Sequence, residues 1–193
     1  MLRQCKNENV IRFVDNFYSD TSVFIAMEYC NGGDLEGYLE KKKRLVEDEA
    51  TRFLKQIING FKGLHEVNAM HRDFKVANVL LHDGVAKIAD LGFAKQMTRN
   101  VTGTILGTSL TMAPELLEER PYGLEADIWS VGVVYYQLMY GKYPFMGIND
   151  PMILKNIKEK KTPDFSGVNI SSKARDFIVR CLTYDPKRRI QWK

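Results

Sequence analysis

The sequence predicts an α+β fold that is mainly α-helical, with two strands near its start. Residues 10–17 and 22–29 are rich in β-branched and aromatic residues, as strands are. Residues 47–67 place apolar side chains at three- and four-residue steps, and residues 124–140 are apolar on nearly every side. The chain has 193 residues and no internal repeats, so we expect one domain around one sizeable core.

The two strands are predicted at residues 10–17 and 22–29, joined by a polar turn. The run VFIAM at residues 23–27 is β-branched and aromatic, and it is expected to be buried. The sequence Asn-Gly-Gly at residues 31–33 ends the second strand. Asp34 is then placed to cap the following helix.

A long helix is predicted over residues 47–67, with its apolar stripe facing the core. The stripe consists of Ala50, Phe53, Leu54, Ile57, Ile58, Phe61 and Leu64. Gly60 and Gly63 weaken such a helix, so tertiary packing must stabilise it. The helix predicted over residues 124–140 lacks a polar face and therefore belongs inside the domain. Shorter helices are expected after it, because prolines recur in this part of the chain.

Composition and charge are those of an ordinary globular protein, with 45% hydrophobic and 27% charged residues. The net charge of +4 is spread along the chain, and we expect no nucleic-acid partner. One dense basic cluster, Lys-Lys-Lys-Arg, occupies residues 41–44. It is interpreted as a solvated helix end, with a phosphate-binding or partner-docking patch as the alternative.

The cysteines Cys5, Cys30 and Cys181 are odd in number and far apart, which favours reduced thiols in a cytoplasmic or nuclear protein. No Cys or His cluster indicates a zinc site. The chain shows no apolar signal core at its start and no apolar run long enough to span a bilayer. We therefore expect a cytoplasmic protein without an integral membrane segment.

The most informative segment is HRDFKVAN at residues 71–78, which is followed by the triplet DLG starting at Asp90. The segment contains Asp73, Lys75 and Asn78, and Asp90 lies seventeen residues after Asp73. Metal-assisted phosphoryl transfer needs a group that orients the nucleophile, a cation, and oxygen ligands for Mg²⁺. The pattern therefore favours phosphoryl-transfer chemistry.

At these residues the chain resembles the eukaryotic protein kinases, and in particular their serine/threonine branch. Residues 71–78 match the catalytic loop HRDLKxxN with Phe74 in place of Leu, and the triplet matches DFG with Leu91 in place of Phe. Other motifs occur in the order of the family: MEYCNGGDL at residues 27–35, APE at 113–115, DIWSVGV at 127–133 and DPKRR at 185–189.

The resemblance implies a protein-kinase-like C-terminal lobe with two strands and the hinge of the N-terminal lobe. Residues 1–30 would be the end of the N-terminal lobe and the hinge. Residues 31–193 would be the C-terminal lobe, truncated at its C-terminal end.

The resemblance also implies a serine/threonine kinase that uses ATP and Mg²⁺ and acts on protein substrates. Asp73 would orient the substrate hydroxyl and accept its proton, and Lys75 would neutralise charge on the γ-phosphate. Asn78 and Asp90 would hold Mg²⁺. Thr108 would bond to the catalytic Asp and Lys.

Five residues would form the nucleotide site by the same resemblance. Met27 would guard the back of the adenine pocket, and the backbone of Glu28 and Cys30 would bond to adenine. Asp34 would reach the ribose hydroxyls, and Leu80 would supply the apolar floor.

Residues 90–115 resemble an activation segment. Arg72 lies beside the catalytic Asp and would pair with a phosphate on Thr104, added by an activating kinase or by autophosphorylation. Thr111 stands where the family usually has Tyr or Trp, in the wall that docks the substrate.

Two structural contacts follow from the resemblance as well. Glu115 and Arg189 would form a buried ion pair. Asp127 would hold the catalytic loop from below through backbone hydrogen bonds.

The 193 residues contain no glycine-rich phosphate loop and no strand with a phosphate-binding Lys. We therefore expect a fragment of a longer kinase that is inactive on its own. The alternative is a non-catalytic kinase-like lobe that acts as a binding or scaffold module. Within the family, the chain looks most like the autophagy-initiating kinases, with calcium/calmodulin-dependent and cell-cycle kinases as alternatives.

Overall fold

The structure is a computed structural model that describes residues 4–91, the backbone of residues 95–96, and residues 109–192. The strands are β1 (Phe13–Tyr18), β2 (Val23–Met27), β3 (Ala69–Met70), β4 (Val79–His82), β5 (Val85–Ile88) and β6 (Lys95–Gln96). The helices are α1 (Leu35–Lys42), α2 (Glu47–Glu66), α3 (Pro114–Leu117), α4 (Glu125–Tyr140), α5 (Asp150–Lys160) and α6 (Ser172–Cys181). Helices dominate, so the described residues have the mainly helical α+β architecture that the sequence predicts.

The described strands form three separate two-stranded antiparallel sheets, which pair β1 with β2, β3 with β6, and β4 with β5. The first strand begins later than predicted. Val10 forms a parallel bridge with Ile88, and the Ile11 amide donates to the Ile88 carbonyl at 2.8 Å. Residues 10 and 11 therefore join β5, and the chain pairs with β2 only from Phe13.

The expected burial of residues 23–27 is wrong. Val23, Phe24 and Ile25 are between 57% and 61% exposed. β1 and β2 form an isolated ribbon, and no described residue covers its faces enough to bury these side chains. A β-branched sequence predicts a strand, but burial also requires a second layer.

The long helix α2 forms as predicted, apart from its last residue. All of its predicted stripe is buried except Ile58, which is partly buried against the same core. The helix packs against β3, β5 and α4. Gly60 and Gly63 allow residues 7–9 to approach closely, because a Cβ at Gly60 would lie 2.6 Å from the Asn9 carbonyl oxygen. This contact stabilises a helix that two glycines would otherwise weaken.

The predicted central helix is confirmed as α4, which begins one residue later than expected. Every residue of α4 after Glu125 is buried. It contacts α2 on one side and α6 on another. Among the described residues, no helix combines the length and apolarity needed to cross a membrane.

The predicted ion pair between Glu115 and Arg189 is confirmed. The Arg189 guanidinium donates to both carboxylate oxygens of Glu115, at 2.7 and 2.9 Å, and both side chains are fully buried. Such a bidentate pair fixes geometry as well as charge. It joins α3 to the turn that follows α6.

Candidate active site

The segment that carries Asp73 is held by a carboxylate of the buried helix α4. Asp127 accepts hydrogen bonds from the backbone amides of His71, at 3.0 Å, and Arg72, at 3.1 Å. Burial raises the pKa of the Asp127 carboxyl, while the hydrogen bonds from these two amides favour its ionised form. The predicted support of the catalytic loop from below is therefore confirmed. Arg72 has a positive φ of 70°, which turns the chain sharply ahead of Asp73.

His71 connects two loops of the site. Its Nε2 lies 3.0 Å from the Ala89 carbonyl oxygen, and its Nδ1 accepts from the Asp73 amide at 3.4 Å. These partners assign a neutral imidazole with the proton on Nε2. Complete burial lowers the pKa of His71, which agrees with that neutral form. The ring thus ties the Asp73 loop to the residue before Asp90.

Asp73 and Lys75 form the charged centre of the site. Oδ2 of Asp73 lies 3.3 Å from Nζ of Lys75. The Asp73 side chain is nearly buried, whereas that of Lys75 is 28% exposed. The carboxylate is therefore fixed in position beside a cation that reaches solvent.

Asn78 is oriented by a bond to the same loop. Its Nδ2 donates to the Asp73 backbone carbonyl at 2.8 Å. Because this bond uses the NH₂ end of the amide, Oδ1 is the end that can act as an oxygen ligand. The Ala89 amide donates to the Asn78 backbone carbonyl, also at 2.8 Å, so the loops that carry Asn78 and Asp90 lie side by side.

Asp90 has an exposed side chain and a positive φ of 54°. A non-glycine residue in this conformation is uncommon and is often found at functional sites. No group of three or more His, Cys, Asp or Glu side chains that could hold a metal occurs within the described ranges. An amide oxygen and a single carboxylate nevertheless suit Mg²⁺, which usually keeps several waters and binds through one or two carboxylates and substrate phosphates.

The structure brings together two residues of the expected nucleotide site, Asp34 and Leu80. The Gly32 amide donates to the Leu81 carbonyl, and the Leu81 amide donates to the Gly33 carbonyl, each at 2.8 Å. Asp34 forms a bridge with Leu80, which is half-buried. Residues 32–34 and strand β4 therefore lie against each other.

Asp34 has a structural role that its sequence position predicts. Its Oδ1 accepts from the Gly37 amide at 2.7 Å and so caps α1. The expected contact with a ribose stays a prediction.

The remaining three residues of the expected nucleotide site lie on β2 or just after it. The Glu28 carboxylate accepts from the Arg12 amide at 2.7 Å and lies 3.1 Å from Lys87 Nζ. These contacts outweigh burial and lower the Glu28 pKa. The Glu28 amide donates to the Arg12 carbonyl at 2.9 Å, so the backbone group of Glu28 that is expected to bond to adenine is its carbonyl. Met27 is exposed, and Cys30 is half-buried.

Two of the predicted residues, Thr104 and Thr108, lie outside the described residues. Thr111 is buried, and its carbonyl accepts from the Ser130 hydroxyl at 2.9 Å. This bond fixes the end of the segment on α4.

Sequence reasoning missed a polar network that anchors residues 7–9. Asn9 Nδ2 donates to the Ala86 carbonyl, and Asn59 Nδ2 donates to Asn9 Oδ1, each at 2.8 Å. Asn7 Nδ2 donates in turn to the Asn59 carbonyl at 2.8 Å. A useful signal was the pair of asparagines just before the apolar residues Val10 and Ile11.

The family model of the protein kinase domain matches residues 1–193. The chain is 34% identical over 194 residues to the serine/threonine-protein kinase cst-1 of Caenorhabditis elegans, with 98% of this chain and 39% of that protein covered. It is also 34% identical over 201 residues to the serine/threonine-protein kinase atg1 of Dictyostelium discoideum, with 100% of this chain and 30% of that protein covered. For ATG1b of Arabidopsis thaliana the identity is 34%, and 28% of that protein is covered. The chain thus spans less than two fifths of the length of these relatives.

Proposed function

The chain belongs to the protein kinase domain family, and we propose that it supplies the catalytic site of a serine/threonine protein kinase that transfers the γ-phosphate of ATP to protein hydroxyl groups. The relatives at 34% identity are serine/threonine kinases, which supports this at the family level. The single observation that carries the proposal is the buried Asp73 carboxylate, 3.3 Å from Lys75, in a loop that α4 holds in place.

In this function Asp73 accepts a hydrogen bond from the hydroxyl of the substrate Ser or Thr. It takes the proton as the hydroxyl oxygen bonds to the γ-phosphorus and the bond from that phosphorus to the leaving oxygen of ADP breaks. Lys75 donates to the transferred phosphoryl group and offsets its negative charge. The hydrogen bonds of Asp127 keep the backbone of this loop fixed, so little reorganisation is needed during the reaction.

Asn78 and Asp90 would hold Mg²⁺, and the available donors fit this ion because both supply oxygen. When bound, the ion would neutralise the charges of the phosphates. The Asn78 amide is already oriented by Asp73, so its oxygen needs no rearrangement. The nucleotide would lie between residues 27–34 and Leu80, with adenine bonded to the backbone of Glu28 and Cys30 and the ribose to Asp34.

The division of the chain also belongs to this proposal. We assign residues 1–30 to the end of an N-terminal lobe and the hinge, and residues 31–193 to the C-terminal lobe. The cst-1 and atg1 kinases match with the same identity, so the resemblance to the autophagy-initiating group stays a prediction. The cysteines, none of which is in a disulfide, support the expected cytoplasmic location.

Regulation by a phosphate on Thr104 is part of the same proposal. The Arg72 amide donates to Asp127, so the backbone of Arg72 is fixed directly before Asp73, and its guanidinium supplies the cation of this proposal. A phosphothreonine would pair with that guanidinium and order the segment before Ser109. Phosphatase treatment should then lower the activity of the wild type more than that of Arg72→Ala. Equal loss in both proteins would contradict the pairing.

The proposed function is tested by Asp73→Asn in the natural protein that carries these residues. We expect kcat to fall about a hundredfold or more, since the general base is lost, while ATP binding is retained. The measurement is phosphate transfer from radiolabelled ATP to Ser-, Thr- and Tyr-containing peptides, with nucleotide binding measured separately. Asp176→Asn, an exposed change on α6, is the matched control and should leave turnover unchanged. Near-normal turnover in Asp73→Asn would refute the assigned role.

The second candidate is a non-catalytic kinase-like lobe that acts as a binding or scaffold module. We expect residues 1–193 alone to turn over far more slowly than the ~1–100 s⁻¹ of protein kinases. If the natural protein also fails to transfer phosphate in the assay above, the binding module becomes the better interpretation.

A further inference from the structure

A cleft of about 490 Å³ lies between α5 and the end of α6, and none of the active-site residues described above line it. Its apolar lining includes Ile157, Val179 and Leu182, of which the first and last are almost fully buried. Lys161 and Arg188 also line the cleft and are exposed, so they lie at its mouth. The volume is within the range of sites that bind ligands or large side chains.

One wall of this cleft is fixed by a hydrogen-bonded cluster centred on Glu118. The Glu118 carboxylate accepts from the Tyr184 hydroxyl at 2.5 Å, from Lys158 Nζ at 2.6 Å and from Arg120 Nε at 2.6 Å. The cluster joins the end of α3, helix α5 and the turn after α6. The cleft is therefore held open by bonded side chains, and a ligand would not need to order them.

The charges at the cleft favour an acidic ligand. The Lys158 charge is offset by Glu118, but within the part of the chain that the structure describes no carboxylate lies within ion-pair distance of Lys161 or Arg188. The lining contains one acid, Asp185, whose Oδ1 accepts from the Lys187 amide at 3.0 Å. Two exposed cations, Lys161 and Arg188, therefore lie at the mouth of a cleft with an apolar floor.

We propose that this cleft is a docking site for an acidic segment of a partner protein that inserts one large apolar side chain. The apolar side chain would contact Ile157 and Leu182, and carboxylates on either side of it would pair with Lys161 and Arg188. A concave cleft suits a single inserted side chain, whereas a lipid surface is bound by protruding apolar residues. Because α5 packs against α3 and the turn 109–111, the partner would be held beside the end of the segment before Pro114. This inference does not depend on phosphoryl transfer by the chain.

The test is fluorescence anisotropy with the whole chain and a fluorescein-labelled peptide that has one Trp between two runs of Glu. Two control peptides replace either every Glu by Gln or the Trp by Ser. The protein variant is Lys161→Glu/Arg188→Glu, in which both changes are at exposed positions. Its matched control is Lys173→Glu, also exposed but on α6 outside the cleft lining.

We expect the wild type and Lys173→Glu to bind the acidic Trp peptide equally. The double variant should bind it about tenfold or more weakly, since two exposed charge pairs become repulsive. Both control peptides should bind the wild type more weakly than the parent peptide. Binding of either control peptide as tight as the parent would overturn the proposal, as would equal weakening in Lys173→Glu.

A further arm uses vesicles of phosphatidylserine and phosphatidylcholine. If the wild type binds the vesicles but not the peptide, and the double variant loses vesicle binding, the cleft is a membrane site instead.

Discussion

Glu115 and Arg189 are both buried, so each offsets the loss of hydration of the other. The guanidinium also donates to the Glu125 carbonyl at 2.7 Å and to the Thr183 carbonyl at 3.1 Å. Its fifth donor reaches the Tyr184 carbonyl at 3.5 Å, and its flat face lies 5.3 Å from the centre of the Trp129 ring. A buried pair with this many partners makes the removal of one side chain costly.

Arg189→Ala is expected to lower the free energy of unfolding by ~3–5 kcal/mol, because the Glu115 carboxylate stays buried without a cation. Urea unfolding measures the change. Arg180→Ala is the matched control, since its pair with Asp176 is exposed and such pairs contribute at most about 1 kcal/mol. If both variants lose less than about 1 kcal/mol, the pair is not buried in solution.

The residues of the site differ in how well the sequence predicts them. Asp127, Glu115 and Arg189 are predicted correctly, because each belongs to a motif with a known structural role. The Glu118 cluster and the Asn9 network are missed, because no local pattern links their long-range partners. Glu118 bonds to Lys158 and Tyr184, and Asn9 bonds to Asn59 and Ala86, all about 40 or more residues away. Residue types predict chemistry, but which polar groups meet depends on the fold.

At the scale of the elements, α2 shows how packing overrides helix propensity. Ala is favoured over Gly inside a helix by about 1 kcal/mol. At Gly60, however, an added Cβ would lie 2.6 Å from the Asn9 carbonyl oxygen, whereas at Gly37 in α1 the nearest atom is 3.5 Å away. The two glycines are equivalent by propensity and different by environment.

Gly60→Ala is expected to lower the midpoint of urea unfolding, because the backbone of residues 7–9 must move away from α2. Gly37→Ala is expected to stabilise the protein by about 0.5–1 kcal/mol, since it gains propensity without a clash. Stabilisation by both substitutions would show that residues 7–9 are not packed on α2 as described.

The end of α2 has a titratable contact. The His65 ring meets the Trp192 ring edge-on at 4.7 Å, and burial lowers the pKa of His65 to about 4. The unfolded chain has a His pKa near 6.5, so between these values the unfolded state binds more protons than the folded state. The contribution of the neutral His65 ring to the free energy of unfolding is therefore complete above about pH 6.5 and is lost as the pH falls towards 4.

His65→Phe should reduce the loss of stability between pH 6.5 and pH 4, because Phe keeps a ring against Trp192 and does not titrate. The measurement is the difference in Tm between pH 7 and pH 4.5 for the wild type and the variant. His82→Phe serves as a control, since the His82 side chain is 39% exposed. An unchanged difference in His65→Phe would show that His65 does not cause the loss.

The long helices and the existence of the two ribbon strands are predicted from the sequence, whereas the burial of the ribbon and the start of β1 are not. The apolar period of α2 is set locally, and its bounds agree to within one residue. The burial of β2 depends on which other segments cover it, and that information is not local. The same limit applies to the starting residue of β1, because Val10 and Ile11 pair with a strand more than seventy residues away.

At the scale of the whole molecule, the described residues combine one continuous core with an exposed apolar ribbon. The core runs from α2 through α4 to α6 and includes Phe61, Trp129 and Ile178. By contrast, β1 and β2 place Phe17 directly opposite Phe24, both more than half exposed. Contiguous apolar surface of this kind favours association with another surface.

Phe17→Thr/Phe24→Thr is therefore expected to reduce self-association of residues 1–193 without lowering their stability. Thr keeps a high strand propensity, and neither phenylalanine is buried, so the free energy of unfolding should change by less than about 0.5 kcal/mol. Sedimentation velocity over a range of concentrations measures association, and urea unfolding measures stability. Ile148→Thr is the matched control, because Ile148 is 90% exposed but lies in the loop between α4 and α5, apart from the ribbon. Self-association that persists in the ribbon variant would place the contact elsewhere. A stability loss of a few kcal/mol would instead mean that the ribbon is buried in solution.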